Sequence, residues 1–130
     1  MVAAVGDYVP RAGSSKIKRN GSALTLTLDE GTDILAELGG DRQERILVGF
    51  AAETESLVDN ARDKLARKNL DYIVANDVSA DDCGIDADHN AVTILGRDGA
   101  RWDIEKKAKA EIAEGILDRL FGSPSADDPR

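Results

Sequence analysis

Short apolar runs alternate with amphipathic stretches along the chain, and this alternation predicts an α/β layer fold. Val2 to Val5 reads as a buried strand ended by the turn Gly6-Asp7, an unusual way for a chain to begin. A loop from Tyr8 to Ser15, with Pro10 and Gly13, leads into the basic cluster Lys16-Ile17-Lys18-Arg19. From Ala23 to Leu28 the pattern has period two. Leu24, Leu26 and Leu28 share one face and Thr25 and Thr27 the other, which predicts a half-buried strand. Thr32 is placed to cap a short helix through Leu38, stopped by Gly39-Gly40. Ile46-Leu47-Val48 reads as a fully apolar strand closed by Gly49-Phe50.

A helix of about four turns is predicted from Thr54 to Lys68, with Asn69 taking the left-handed stop position. Tyr72 to Ala75 is the next buried strand, followed by a polar, aspartate-rich loop from Asn76 to Asn90. Val92 to Leu95 and Trp102 to Ile104 form a predicted hairpin around Asp98-Gly99. The last helix is predicted from Lys106 to Phe121, burying Ile112, Ile116, Leu117 and Leu120. Gly122 to Arg130, with two prolines and two acids, is expected to be a disordered tail.

The helix from Thr54 to Lys68 carries the most local information. At about 100° per residue, Leu57, Val58, Ala61 and Leu65 form one apolar arc. Asp59, Arg62, Asp63 and Arg67 fall opposite. Lys64 and Lys68 do not join those charges: they project from the edge and middle of the apolar arc, one turn apart. Lysines so placed either snorkel past the core or line a cleft that holds an anion. The cleft reading gains from the small-residue turn Gly49 to Ala52 ahead of the helix, because ligands of open α/β sheets bind at the carboxyl ends of strands.

Composition narrows the class. The 130 residues suit one domain, and 42% apolar with 32% charged residues is ordinary for a globular protein. With only 4% aromatic residues, the core must be built from Leu, Ile, Val and Ala. A single cysteine excludes an internal disulfide and fits a reducing, cytoplasmic compartment. No apolar run approaches the roughly 20 residues of a membrane span, and the start lacks a basic signal-peptide region. The formal net charge of −8 argues against a general nucleic-acid binder. An anionic ligand would need cations gathered locally. Lys16, Lys18 and Arg19 could contact a phosphate from a mobile loop, or simply be a solvated strand entry. Asp7, where a strand ends, is either a ligand carboxylate or a turn-former.

Other chemistry is weaker. Asp86-Ala87-Asp88-His89-Asn90 opens like a calcium loop, but Ala91 stands where the glycine belongs and Arg97 where the glutamate belongs. Cys83 and His89 form a thiol–imidazole pair only on paper, with nothing else to mark a nucleophile. No Gly-x-Gly-x-x-Gly or Walker-type loop is present.

The residues themselves carry a resemblance. Val48-Gly49-Phe50-Ala51-Ala52-Glu53-Thr54, then Ala61 to Asp71, then Val74-Ala75-Asn76-Asp77-Val78 resemble the signature run of bacterial phosphopantothenate–cysteine ligases. Ala3-Ala4-Val5-Gly6-Asp7-Tyr8 and Lys16-Ile17-Lys18 upstream, with Asp88-His89-Asn90 and Lys107 to Ala113 downstream, follow in family order, so the likeness covers nearly everything up to Leu120. It implies the C-terminal, CTP-binding part of the bifunctional coenzyme A biosynthesis flavoprotein, over residues 1–121. It also implies a Rossmann-like, parallel-rich sheet flanked by helices, with an added β-hairpin.

The implied reaction has two steps. The carboxylate of 4′-phosphopantothenate attacks the α-phosphate of CTP and releases pyrophosphate. Cysteine's amine then displaces CMP from the acyl-cytidylate. Magnesium accompanies the CTP, FMN is not expected on this part, and a homodimer is implied. By position, Asp7 and Lys16 match nucleotide contacts, and Lys16 is also the catalytic candidate, on a loop that closes over the intermediate. Thr32, Asp33, Ile34 and Leu35 match a backbone-rich contact segment. Phe50 matches a residue beside the nucleotide, and Lys64 and Lys68 match triphosphate ligands.

Departures are Gly31-Thr32 before Asp33 in place of Asn-Pro, Ile85 in place of an aromatic, and Gly6 in place of alanine. The family's ligase domain also begins upstream, with an asparagine that handles the acyl-cytidylate, so Met1 is expected to be internal to a parent chain and the 130 residues are expected not to complete the ligation alone. The alternatives are a non-catalytic nucleotide-binding module and a dimerisation module derived from this family.

Overall fold

In a computed structural model, residues 6–19, 21, 23–53, 56–77 and 88–122 are described. The expected strand Val2–Val5, the helix cap Thr54, most of the aspartate-rich loop with Cys83 and Ile85, and the tail beyond Gly122 lie outside those residues. The chain divides into two compact units, Met1–Ile34 and Leu35–Arg130. No helix among the described residues is long and apolar enough to cross a membrane.

In the first unit, β1 (Tyr8–Pro10) pairs antiparallel with β2 (Leu28–Glu30), Val9 opposite Asp29. The ladder is extended by the Arg11 N–H donating to the Thr27 carbonyl at 2.9 Å and the Gly31 N–H donating to the Asp7 carbonyl at 2.7 Å. Arg11 and Asp29 form an exposed ion pair across it, and the Arg11 guanidinium holds the Asp29 carboxyl below its ordinary value. The half-buried strand expected over Ala23–Leu28 does not form: only Leu28 enters a strand, and Leu24 and Leu26 are exposed. Alternation specifies a face but not a partner. The opposing strand is only three residues long, and its pairing with this run goes no further than the Arg11 N–H to the Thr27 carbonyl.

The second unit is layered. A four-stranded sheet has the order β3-β4-β5-β6, from β3 (Val48–Glu53), β4 (Tyr72–Asp77), β5 (His89–Gly96) and β6 (Arg101–Ala108). β3 and β4 are parallel, and the predicted hairpin β5–β6 adds antiparallel to β4, so the sheet is mixed. This is the expected α/β, Rossmann-like arrangement with its added hairpin, but it is not parallel-rich among the described strands, where only the β3–β4 pair is parallel because the hairpin adds two antiparallel pairs. Alternating side chains divide two cores. On one face Leu47, Ala51, Ile73, Ala75 and Leu95 pack with Ala61 and Leu65 of α2 (Leu57–Arg67) and with Leu35 of α1 (Ile34–Gly40). On the other, Val74, Val92 and Ile94 pack with Ile112 and Ile116 of α3 (Lys109–Phe121).

Several boundaries differ from expectation. β3 does not close at Gly49-Phe50 but runs through them to Glu53. Gly49 is there for close approach: a Cβ would come within 2.6 Å of Leu70 and 3.3 Å of Leu35. Leu57 opens α2, and Ser56, at φ 48°, makes no side-chain cap. α3 starts at Lys109, not Lys106, because β6 continues to Ala108 with Asn90 paired to Lys107. Leu117, expected inside, is exposed: Ile112 and Ile116 stack one turn apart, and the next residue is turned about 100° off that line. The stop of α2 is as expected. Asn69 has φ 54°, its N–H donates to the Ala66 carbonyl, and the Leu70 N–H reaches back to Leu65 at 3.0 Å. This is a Schellman turn, with Leu65 and Leu70 in one core as its apolar clasp.

Candidate functional site

Each candidate residue takes its place from the element that carries it. Asp7 and Lys16 are exposed in the first unit, Asp7 just before β1 and Lys16 in the irregular segment between β1 and β2. Thr32 and Asp33 are exposed ahead of α1, Ile34 opens that helix half-buried, and the Ile34 N–H donates to the Thr32 carbonyl at 3.1 Å. Leu35 is half-buried and packs on the α2-side core.

Lys64 and Lys68 are half-buried, whereas Asp59, Arg62, Asp63 and Arg67 on the same helix are exposed. The lysines therefore stand on the flank that the periodicity assigned them. The Lys68 backbone closes the helix, its N–H donating to the Lys64 carbonyl at 3.0 Å. Helix α1 lies hard against this end. Gly39 is buried, and a Cβ there would collide with the Lys68 carbonyl oxygen. The Asn69 side-chain amide donates to the Gly39 carbonyl at 2.6 Å. Leu35, Lys64 and Lys68 thus come together in one helical layer.

Phe50 does not join them. Ala51 of β3, like Leu47 just before the strand, belongs to the α2-side core and Val48 to the α3-side core, so alternation puts Phe50 on the α3 side, where it is 71% exposed. Direction separates them as well. Because α2 joins two parallel strands through short connections, it runs antiparallel to them, and its carboxyl-terminal lysines lie toward the strands' amino-terminal ends.

Asn76, expected at the start of a loop, instead lies in β4 and shares the Phe50 face. It lies near the carboxyl end of β4, opposite Ala52 and Val92, and its side-chain Oδ1 is buried without a hydrogen-bond partner. An unmatched buried acceptor costs about 1–3 kcal/mol, so a water or another polar group is expected to complete it. The signal available in the sequence was a lone amide directly after the apolar run Tyr72–Ala75. Among the described residues, no group of three or more His, Cys, Asp or Glu side chains is disposed to hold a metal.

A polar network borders the lysine end. The Asp71 carboxylate accepts the Leu47 N–H at 2.8 Å and pairs with Arg42. Burial pushes the Asp71 pKa up, but the Leu47 N–H, the Arg42 hydrogen bond and the nearby Arg42 and Arg97 charges outweigh it and hold the carboxyl below its ordinary value. Arg97, at the hairpin turn, donates to the Leu70 carbonyl at 2.9 Å and to the Asn69 carbonyl and Oδ1 at 2.6 and 2.7 Å.

Comparison with known proteins places this arrangement. Residues 1–122 match the family described as DNA/pantothenate metabolism flavoprotein C-terminal domain. The chain is 45% identical over 119 residues to the coenzyme A biosynthesis bifunctional protein CoaBC of Bacillus subtilis, covering 91% of this chain and 29% of that protein. It is 39% identical over 121 residues to the CoaBC protein of Haemophilus influenzae, covering 92% and 30%. The crystal structure of the C-terminal domain of a CoaBC protein superposes with a TM-score of 0.61 at 36% identity, over 72% of this chain and 44% of that one. The chain thus spans about three tenths of the curated relatives it matches.

Proposed function

From the premise that the chain belongs to the DNA/pantothenate metabolism flavoprotein C-terminal domain family, we propose that it is the CTP-binding part of a phosphopantothenate–cysteine ligase. The observation that carries the reading is the reach of the family match. It spans residues 1–122, and so every residue of the candidate set. The geometry supports it in two places. Lys64 and Lys68 are half-buried cations one turn apart, and charge opposed to phosphate is strongest where water is partly excluded. Phe50 offers an exposed ring, and Asn76 an unmatched amide oxygen, on one face of the sheet.

In this reading Lys64 and Lys68 offset the triphosphate charge, with Thr32, Asp33, Ile34 and Leu35 supplying backbone contacts and Asp7 a polar one. Phe50 and Asn76 lie beside the nucleotide. The carboxylate of 4′-phosphopantothenate forms a bond to the α-phosphorus as the bond to pyrophosphate breaks. The cysteine amine then adds to the acyl carbon, CMP leaves, and the amine gives up a proton. Lys16, exposed on an irregular segment, closes over the intermediate. Magnesium, which typically keeps several waters and binds through substrate phosphates, would neutralise the triphosphate oxygens.

The test is calorimetric titration of the chain with CTP and magnesium. A hydrogen bond to a charged group contributes about 1.5–3 kcal/mol, so Lys64→Ala and Lys68→Ala should each weaken binding roughly tenfold to a hundredfold. CTP should also raise the melting temperature by mass action. Equal affinity in wild type and the double variant would overturn the proposal.

A further inference from the structure

The β5–β6 hairpin contributes no residue to the candidate set, yet its turn is bonded to the end of α2. Arg97 makes three side-chain hydrogen bonds there, to Leu70 and Asn69, and its backbone N–H donates to the Asp71 carbonyl at 2.8 Å. Asn69 is the junction. Its Oδ1 accepts from Arg97 at 2.7 Å while its Nδ2 donates to the Gly39 carbonyl at 2.6 Å. The backbone turn alone does not demand this side chain: φ is 54°, and glycine is the commonest residue at such a helix stop. Both ends of the amide are used to tie α1, α2 and the hairpin together. Gly39 and Leu35 lie one turn apart on α1, as Lys68 and Lys64 do on α2. The bridge therefore sits where these two faces meet.

We infer that Asn69 and Arg97 are positioning residues for the nucleotide, holding the α1 face that carries Leu35 in register with the α2 face that carries Lys64 and Lys68. The inference rests on the CTP reading of those lysines. It gives the hairpin a role beyond closing the sheet: a brace that fixes the angle at which Lys68 leaves the helix end.

Asn69→Gly tests it cleanly, because glycine keeps the left-handed turn and deletes only the bridging amide. Titrated with CTP and magnesium, this variant should lose about three- to tenfold in affinity. Arg97→Ala should do the same, and the double variant should lose no more than the worse single, since both act through one junction. The loss should be larger for CTP than for CMP, because the misplaced groups are the triphosphate lysines. A general loosening would weaken both alike. Ile104→Val, in the α3-side core, is the control for lost stability and should leave CTP affinity unchanged. If wild type binds no CTP, the nucleotide reading fails and takes the brace with it. If wild type binds but Asn69→Gly and Arg97→Ala bind equally well, only the brace fails. Equal losses for CTP and CMP, or an equal loss in Ile104→Val, would also overturn it. Should Arg97→Ala not fold, Asn69→Gly decides alone.

Discussion

Removing the Asp71 carboxylate should be among the most damaging single changes outside the two hydrophobic cores. Its side chain is 20% exposed and that of Arg42 is 26% exposed, so solvent screens their pair only partly. The same carboxylate takes the N–H of Leu47, a residue 6% exposed, at 2.8 Å. The Asp71 and Tyr72 N–H groups donate back to the Leu47 carbonyl at 2.9 and 3.2 Å, which closes the junction where β3 and β4 begin. Asp71→Ala would leave a buried N–H without its acceptor, at about 1–3 kcal/mol, and would remove a charge-assisted bond of about 1.5–3 kcal/mol. The two losses overlap because Arg42 keeps its bond to the Asn69 carbonyl, so the expected net cost is about 2–4 kcal/mol. For a unit of this size that lowers the melting temperature by on the order of 10–25 °C.

The pH dependence is a second, independent readout. The folded pKa of Asp71 is depressed, so its contribution is fully present above the unfolded value, about 3.9, and is lost as pH falls through the folded value. Thermal melts of wild type and Asp71→Ala should therefore differ most near neutral pH and converge in strong acid. A variant melting within about 2 °C of wild type at pH 7, or a gap that widens on acidification, would refute the reasoning.

Gly39→Ala sets two effects against each other. Helix propensity alone would stabilise by about 1 kcal/mol, whereas the new Cβ meets backbone atoms of Lys68 that cannot move cheaply, so a net loss of about 1–3 kcal/mol is expected. A raised melting temperature would show that α1 and α2 are not pressed together there. Lys16→Ala, placed in a complete ligase, should slow turnover more than it weakens CTP binding, as follows for a contact made mainly in the transition state. A large rise in the CTP dissociation constant with unchanged turnover would make Lys16 a plain binding residue.

Legibility followed the range of each signal. The α2 helix was readable because its apolar arc repeats over several turns, and the same periodicity marked Lys64 and Lys68 as the half-buried lysines. The hairpin was readable because Asp98-Gly99 sits between two apolar runs, and Gly99 does take φ 90°. The run Ala23–Leu28 carried an equally clean pattern and misled, because period two describes a surface before it describes a partner. Gly49 misled differently. A glycine after an apolar run reads as a stop, and only the packing of Leu35 and Leu70 over it shows why it belongs inside the strand.

The candidate site tests the limits of such reading most sharply. Periodicity tells which residues share a face of one element: Lys64 with Lys68, or Phe50 with Val48. It does not tell which sheet face a helix covers, because that depends on how the chain crosses from β3 to β4. Hence the sequence could group Phe50 with the lysines, while the fold puts the ring on the α3 side and the lysines on the α2 side. A ligand reaching both must pass an edge of the sheet rather than lie across one face. β3 is the terminal strand of the described sheet, next to β4 alone, so its edge is the shorter path between Phe50 and the α1–α2 layer. In the proposed function, triphosphate and base are therefore expected on opposite sides of the β3 edge, with Gly49, whose missing Cβ lets Leu35 approach, beside that path.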